Sequence, residues 1–161
     1  MRVPVSIDRT FDSSAAPAVF DALLIQLGDE LFALPSNSVR EVLRYRAYTP
    51  VPGAPPMLPG ILNQRGVIMP VVNIYSLLGI TAPSITRSTR LILMNHNDID
   101  IALLAEVVLD LVSINTDTIE PLPIALDPAR ARFLRGMTQS DQRTIALFDL
   151  DELITGLRAQ E

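Results

Sequence analysis

Few residues of this 161-residue chain could carry out covalent chemistry. The chain has no cysteine and no lysine, which excludes thiol nucleophiles, disulfides, thiolate metal sites and lysine Schiff bases. Its one histidine, His96, lies in an Asn-His-Asn-Asp sequence typical of a hairpin turn, where we expect a solvated side chain rather than a catalytic base. Serine-hydrolase triads and multi-histidine zinc sites therefore have no support in the sequence.

Three aspartates, Asp98, Asp100 and Asp110, are the acidic residues that could bind a cation or act as an acid–base pair. Asp98 and Asp100 alternate along the chain and can share one face of a strand, but no calcium-loop pattern accompanies them. We expect solvated turn residues, no metal and no cofactor. A small-ligand-binding β-barrel or enzyme, with Asp98, Asp100 or Glu41 as its acid, is the competing hypothesis and requires a deep pocket with convergent polar groups.

Composition restricts the class of protein. Charged residues make up 19% of the chain, below the usual ~25% for soluble domains, and the hydrophobic content of 48% allows a sizeable core. The net charge of −5 argues against nucleic acid as the main partner. The first 17 residues lack the apolar run of a signal peptide, and no segment approaches the ~20 apolar residues that cross a bilayer. The sequence predicts a cytoplasmic protein without direct membrane insertion.

The candidate functional turn lies in a segment that occurs twice. Gly60 to Asn73 recurs in fainter form as Gly136 to Asp149, with apolar, glycine and helix-start positions retained. The polar turn from Asn63 to Gly66 is not retained. A repeated framework predicts a chain built twice on one plan, and the turn that differs is where we look for function.

Hydrophobic alternation predicts the elements that position this turn. Glycine and asparagine or aspartate signals predict short helices at 73–79 and 149–156, with Gly156 as the stop of the second. Pro70 is expected at a sheet edge or a bulge, because proline lacks the N–H of a ladder hydrogen bond. A loop with five prolines covers 49–59. Strands are predicted at 22–27, 31–34, 60–63, 67–72, 90–94, 99–105, 106–113, 133–139 and 144–148.

About five short strands and one short helix in each half predict an all-β fold of two small barrels, because closed barrels hide their sheet edges. The predicted organisation is a flexible tail at 1–19 and one domain at 20–161. Two intertwined barrel subdomains divide this domain at roughly 35–88 and 89–150, with the terminal segments completing the barrels.

Six segments carry a specific combination of residues: 31–35, 39–42, 50–52, 58–66, 70–74 and 101–107. Together they resemble the CheW-like family of chemotaxis coupling proteins. The resemblance implies two SH3-like five-stranded β-barrels, no catalysis and an adaptor role. It implies two partners: the regulatory domain of a CheA-type histidine kinase and the cytoplasmic tip of a chemoreceptor, the latter received in a groove between the barrels. It also implies that receptor arrays are the protein's route to the membrane surface.

The resemblance also implies site residues. The coupling glutamate falls on Glu41 and the coupling arginine on Arg65; the alternatives are an ordinary surface carboxylate and a solvated turn arginine. Receptor-groove positions fall on Val39 and Val108, with Leu109 beside them, and these could equally be plain core. We interpret Asn63 and Gly66 as structural turn residues.

Two positions depart from the family pattern: Asn73 replaces a usual aspartate, and Ala105-Glu106 replaces a usual Val-Asp pair. These departures leave open a sister pathway, such as type IV pilus motility or phototaxis. A bare regulatory barrel that competes with a kinase's own barrel is a further alternative.

Overall fold

The computed structural model describes residues 18–159, so the predicted tail at 1–19 lies almost wholly outside the described residues. Strand β1 begins at Val19, three residues earlier than the sequence pattern indicated. The strands, numbered in chain order, are β1 Val19–Leu27, β2 Glu30–Pro35, β3 Val39–Arg44, β4 Thr49–Pro50, β5 Gly60–Gln64, β6 Val67–Val72, β7 Arg90–His96, β8 Ile99–Ala105, β9 Val107–Asn115, β10 Leu134–Ser140 and β11 Arg143–Phe148. The helices are α1 Tyr75–Leu78, α2 Pro128–Ala131 and α3 Leu150–Arg158.

The strands form two sheets, and the predicted all-β class is confirmed. One sheet has the order β10-β11-β2-β1-β9 and the other the order β3-β7-β8-β6-β5-β4. The second sheet has six strands instead of the expected five, because Thr49–Pro50 in the proline-rich loop pairs with Gly60 and Ile61. Short strands grouped in two sheets agree with two small SH3-like barrels.

Each sheet contains strands from both copies of the repeat. The β1–β2 hairpin belongs to the first copy, yet it pairs with β9 and, in parallel, with β11 of the second copy. The β7–β8 hairpin of the second copy correspondingly pairs with β3 and β6 of the first. The predicted boundary at 88/89 therefore separates the two copies of the repeat rather than the two sheets. Pairing between distant strands leaves no local sequence signal, so this exchange of hairpins could not be read from hydrophobic patterns.

The core reflects this exchange. The largest buried cluster contains residues of both sheets, including Ile25 and Leu34 from the first and Ile92 and Leu103 from the second. Two smaller clusters belong to one sheet each, and Leu62 belongs to that of the second. The barrels are thus joined by a shared apolar core, whose burial is the main stabilising contribution to their association.

Gly60 and Gly136 occupy corresponding places at a close crossing of two chain segments. A Cβ atom at Gly60 would lie 2.5 Å from the Tyr48 ring and would also clash with the Thr49 carbonyl oxygen. A Cβ atom at Gly136 would lie 2.7 Å from Ile119 Cγ2. The repeated glycines are therefore required where a preceding loop crosses the first strand of each later hairpin.

Pro70 lies in an inner strand, so its predicted position at an edge or bulge is wrong. Strand β6 lies between β5 and β8, but its pairing with β8 covers only Val71 and Val72. Pro70 precedes that paired segment, which explains why a proline is tolerated there.

Gly156 does not end helix α3, which continues to Arg158. A Cβ atom at Gly156 would lie 2.7 Å from Phe133 Cε1, so this glycine allows the helix to pack closely against the Phe133 ring. The predicted start of the helix is confirmed, because Asp149 Oδ1 accepts a hydrogen bond from the Glu152 N–H at 3.1 Å.

One position that departs from the family pattern, Glu106, belongs to a partly buried polar network. The Tyr75 hydroxyl donates to Glu106 Oε1 at 3.2 Å and accepts from the Glu106 N–H at 3.0 Å. The same carboxylate accepts from the Gly28 N–H at 2.5 Å, which ties the β1–β2 turn to helix α1. Burial raises the pKa of the Tyr75 hydroxyl strongly, and the nearby Glu106 carboxylate raises it further.

Tyr75→Phe is expected to lower the free energy of unfolding by about 1–3 kcal/mol, because it leaves the Glu106 N–H and carboxylate without their buried partner. Urea unfolding at pH 7 measures the effect. Tyr45→Phe serves as the control, since among the described residues no hydrogen bond involves the Tyr45 hydroxyl, and it should change stability by less than about 0.5 kcal/mol. Equal losses in both variants would contradict the proposed network.

Among residues 18–159, no helix combines the length and hydrophobicity that a membrane crossing needs.

Candidate functional site

The candidate turn is a two-residue connection between strands β5 and β6. Gln64 pairs with Val67, and the intervening Arg65 and Gly66 have φ angles of 53° and 86°. Two residues of positive φ match the right-handed twist of the flanking strands. Asn63 Oδ1 accepts the Gly66 N–H at 3.0 Å and closes the turn from within. A non-glycine residue in this left-handed region costs about 1–2 kcal/mol, so the chain holds Arg65 at an unfavourable backbone position.

Arg65 forms a bidentate ion pair with Glu41 of strand β3. Arg65 Nη1 lies 3.1 Å from Glu41 Oε1, and Nη2 lies 3.4 Å from Oε2. The Arg65 side chain is 76% exposed and that of Glu41 is 32% exposed. Exposed pairs of this kind contribute about 0.2–1 kcal/mol, which does not exceed the backbone cost at Arg65. Stability therefore does not account for this arrangement, and an arginine fork with a carboxylate held at the surface can recognise a partner.

Arg46 orients the same turn and was missed by the sequence analysis. Its Nη2 donates to the Asn63 carbonyl oxygen and to Gln64 Oε1, both at 2.6 Å. Arg46 lies in the segment between β3 and β4, 17 residues before Asn63. No local pattern distinguishes it from other surface arginines, so only the tertiary structure shows its role.

Exposed apolar side chains lie on the same hairpin as Arg65. The side chains of Ile61, Val67 and Ile68 are 38%, 46% and 63% exposed, respectively, on the β5–β6 hairpin. Leu62 and Met69, which alternate with Ile61 and Ile68 along these strands, are buried in the core of the second sheet. We name the exposed side chains Ile61 and Ile68, which lie on one face of the β5–β6 hairpin, the hairpin face; Val67 and the Glu41–Arg65 pair lie at the turn end of the same hairpin. Contiguous exposed apolar residues bounded by charged groups are typical of protein-binding surfaces.

The predicted groove residues lie in different sheets. Val39 begins β3 in the second sheet and Val108 lies in β9 of the first, and both are half-buried against the shared core. Leu109 is 41% exposed on β9. A separate apolar groove of about 460 Å³ lies between β8 and α3, lined by Leu58, Pro70, Ile99, Ile101, Ile154, Leu157 and Arg158. The lining of this groove does not include Val39, Val108 or Leu109.

The three candidate aspartates do not form one group, because Asp110 lies in the other sheet from Asp98 and Asp100. Asp98 lies in the β7–β8 turn with φ 64°, and Asp100 accepts a hydrogen bond from Asn95 Nδ2 at 2.9 Å. Asp110 lies in β9 of the other sheet, where its carboxylate accepts the Leu111 N–H. Within the part of the chain that the structure describes, no group of three or more acidic or histidine side chains could hold a metal ion.

His96 is not the solvated turn residue that the sequence predicted. Its Nε2 lies 2.7 Å from Asp151 Oδ1, and its side chain is 24% exposed. Asn97 Nδ2 donates to the same carboxylate at 3.2 Å. These contacts tie the β7–β8 hairpin to helix α3, which lies outside the local sequence that predicted a turn.

The pKa of the Asp151 carboxyl is expected to lie below its ordinary value of 3.8, chiefly because of the hydrogen bond from His96. A lowered pKa in the folded state stabilises the fold above pH ~4, and this contribution is lost as the pH falls through the lower, folded-state value. NMR titration of the Asp151 side-chain carbon measures the midpoint. His96→Gln should return the midpoint toward 3.8, and an unchanged midpoint in that variant would exclude His96 as the cause.

A family model described as the CheW-like domain matches residues 21–158 of the chain. The chain is 28% identical over 133 residues to the chemotaxis protein CheW of Rhizobium meliloti, covering 83% of this chain and 86% of that protein. It is also 27% identical over 121 residues to protein PilI of Pseudomonas aeruginosa, covering 73% and 66% of the two chains.

A solved structure has the same fold. The crystal structure of the scaffolding protein TtCheW from Thermoanaerobacter tengcongensis superposes with a TM-score of 0.75 at 26% identity, covering 86% of this chain and 89% of that one.

Proposed function

The chain belongs to the CheW-like domain family, and on this premise we propose that it is a non-enzymatic adaptor that couples chemoreceptors to a CheA-type histidine kinase. The single observation that supports this role best is the β5–β6 hairpin, which carries exposed apolar side chains on its strands and a bidentate ion pair at its turn. Such a surface provides an apolar centre and a charged rim, the usual anatomy of a protein interface. We propose that the protein acts in the cytoplasm, where a kinase and receptor tips would be accessible to it.

The two partners are proposed to use different surfaces. The kinase regulatory domain contacts the hairpin face and the adjoining turn, where Glu41 and Arg65 determine register and specificity more than bulk affinity. The receptor tip contacts the surface to which Val39, Val108 and Leu109 belong. The positions of Val39 and Val108 support this assignment. Both contact the shared core, and each is half exposed on its own sheet.

A pull-down with the kinase regulatory domain, with and without a receptor fragment, tests the proposal. Retention of the full chain by the kinase domain, with increased retention when receptor is added, is the expected result. Retention that is unchanged by the double variant Ile61→Ser/Ile68→Ser would show that the hairpin face is not the contact. A matched control, Ile124→Ser, removes an exposed isoleucine outside this face and should leave retention unchanged.

A second candidate is a scaffold of a type IV pilus or phototaxis pathway, and the similarity to PilI favours the pilus pathway. The physical role is the same, because the same surfaces would join a receptor to a kinase. Deletion of the coding sequence distinguishes the pathways: loss of swimming bias indicates chemotaxis, whereas loss of surface motility with normal swimming indicates the pilus pathway.

A further inference from the structure

A cleft of about 540 Å³ lies where strand β3 ends and strand β7 begins. We name it the arginine cleft, because Arg44, Arg87 and Arg90 line it. No carboxylate belongs to its lining, whose other members are Tyr45, Ile85, Thr86 and Thr89.

The strand register brings two of the arginines directly opposite each other. Arg44 of β3 pairs with Arg90 of β7, and like charges in such a cross-strand pair destabilise a sheet. Arg90 Nη1 donates to the carbonyl oxygens of Arg87 and Thr89, at 2.6 and 3.0 Å, which fixes the guanidinium at the cleft.

The positive charge of the cleft is not neutralised within residues 18–159. The ion pairs formed there join Arg65 to Glu41, His96 to Asp151 and Arg130 to Glu30, and none involves an arginine of the cleft. The chain as a whole carries a net charge of −5. Charge that protects an edge strand from pairing with another chain would be needed on β3 alone. This cluster extends to β7 and to the preceding connector, so edge protection does not explain it.

The arginine cleft is separate from the hairpin face. Arg44 follows Glu41 by three residues on β3, and an odd spacing along a strand places side chains on opposite faces of the sheet. Arg44 therefore faces away from the Glu41–Arg65 pair, and β8 separates β3 and β7 from the β5–β6 hairpin that carries Ile61 and Ile68.

We propose that the arginine cleft binds an acidic peptide segment of a partner protein, with an apolar residue of that segment packed on Ile85. Arginine forks bind carboxylates in bidentate geometry, and three of them around one cleft fit several carboxylates along an extended chain. Ile85 is 49% exposed at the rim, so the site offers an apolar contact that a small anion would not use. A concave cleft between a strand end and a loop also fits a peptide better than a flat bilayer surface.

Fluorescence anisotropy of a labelled Glu-Glu-Leu-Glu-Glu peptide with the full chain tests the proposal. Arg44→Gln/Arg87→Gln is expected to raise Kd about 10-fold or more at low salt, since two exposed ion pairs are lost. Arg40→Gln/Arg135→Gln is the matched control: it removes the same charge from another cleft, where Asp149 and Asp151 also line the wall, and should change Kd less than about 2-fold. Ile85→Ser should weaken binding of this peptide but not of Glu-Glu-Ser-Glu-Glu.

Three outcomes would overturn the proposal. Equal weakening by the two double variants would indicate a general charge effect. Displacement of the peptide by an equal concentration of inorganic phosphate would indicate a small-anion site. Capture of the chain by anionic phosphatidylserine vesicles that depends on Arg44 and Arg87 would indicate a membrane surface. Because Ile61→Ser/Ile68→Ser leaves the cleft intact, its effect on kinase binding distinguishes failure of the proposed function from failure of this site.

Discussion

Arg65→Ala is expected to reduce receptor-coupled kinase activation about 30-fold or more while leaving the fold intact. The functional loss follows because a central arginine at an interface typically contributes 2 kcal/mol or more to binding. The free energy of unfolding should change by less than about 1 kcal/mol, because the pair with Glu41 is exposed and Arg65 is itself 76% exposed. A reconstituted assay with kinase, receptor fragment and the full chain measures activation, and urea unfolding measures stability.

Two further variants separate a structural role from a functional one. Arg65→Gly should be about as stable as the wild type. Glycine removes the cost of the left-handed φ of 53°, and this gain offsets the larger backbone entropy of glycine in the unfolded chain. Activation should still be lost. The charge swap Glu41→Arg/Arg65→Glu keeps an ion pair within the chain but exchanges the positions of the positive and negative charges that a partner would contact. Recovery of full activation by the swap would show that the internal pair, rather than its display to a partner, is what matters.

Gly60→Ala is expected to lower the free energy of unfolding by about 3 kcal/mol, near the upper end for overpacking substitutions. The added methyl group would meet the Tyr48 ring at 2.5 Å and the Thr49 backbone, and a backbone oxygen cannot move aside as a side-chain end can. Gly136→Ala should have a similar effect through Ile119 and the Glu120 carbonyl oxygen, which lies 2.8 Å from the added atom. Urea unfolding of both variants provides the measurement.

Gly53→Ala is the matched control for this pair. Gly53 has φ 77° but open space around it, so alanine there adds only the cost of a left-handed backbone, about 1–2 kcal/mol. Gly60 and Gly136 have no positive φ, so their cost must come from the close contacts; if Gly60→Ala costs no more than Gly53→Ala, the crossing is not tight enough to exclude a methyl group and the shared role of Gly60 and Gly136 would be wrong.

Local features of the fold were predictable because local physics determines them. Strand β8 was placed at 99–105 as observed, since alternating and apolar runs bounded by turn residues carry a clear signal. The cap of helix α3 at Asp149 was likewise readable. Gly156 was misread because a glycine that permits close packing looks the same in sequence as one that ends a helix.

The turn geometry shows a subtler limit. Asp141 and Gln142 have φ angles of 51° and 66°, so the second copy contains the same left-handed turn as Arg65 and Gly66 without a glycine. Strand twist imposes that conformation, and the residues that adopt it can differ completely. The turns of the two copies therefore differ in the side chains that they place at the surface, while their backbone conformation is the same.

The candidate site was only partly readable. Glu41 and Arg65 were predicted on the basis of resemblance, and the structure places them in one ion pair. Arg46 was missed, because its contact with the turn depends on how the proline-rich segment returns along the sheet. The Arg44–Arg90 pairing was likewise invisible, since it requires the register of two strands that lie 46 positions apart in the numbering (90 − 44).

The exchanged hairpins have a consequence for assembly. A lone copy of the repeat would carry a hairpin and a partial sheet that cannot pair with each other, so two separate copies would have to meet as a dimer to complete either barrel. The connector at 81–88 joins the two copies, so their association takes place within one chain. A short linker gives such an association an effective concentration in the millimolar range. Folding is thereby freed from dependence on protein concentration. A backbone cleavage within the connector would restore that dependence and make the two fragments obligate heterodimer partners.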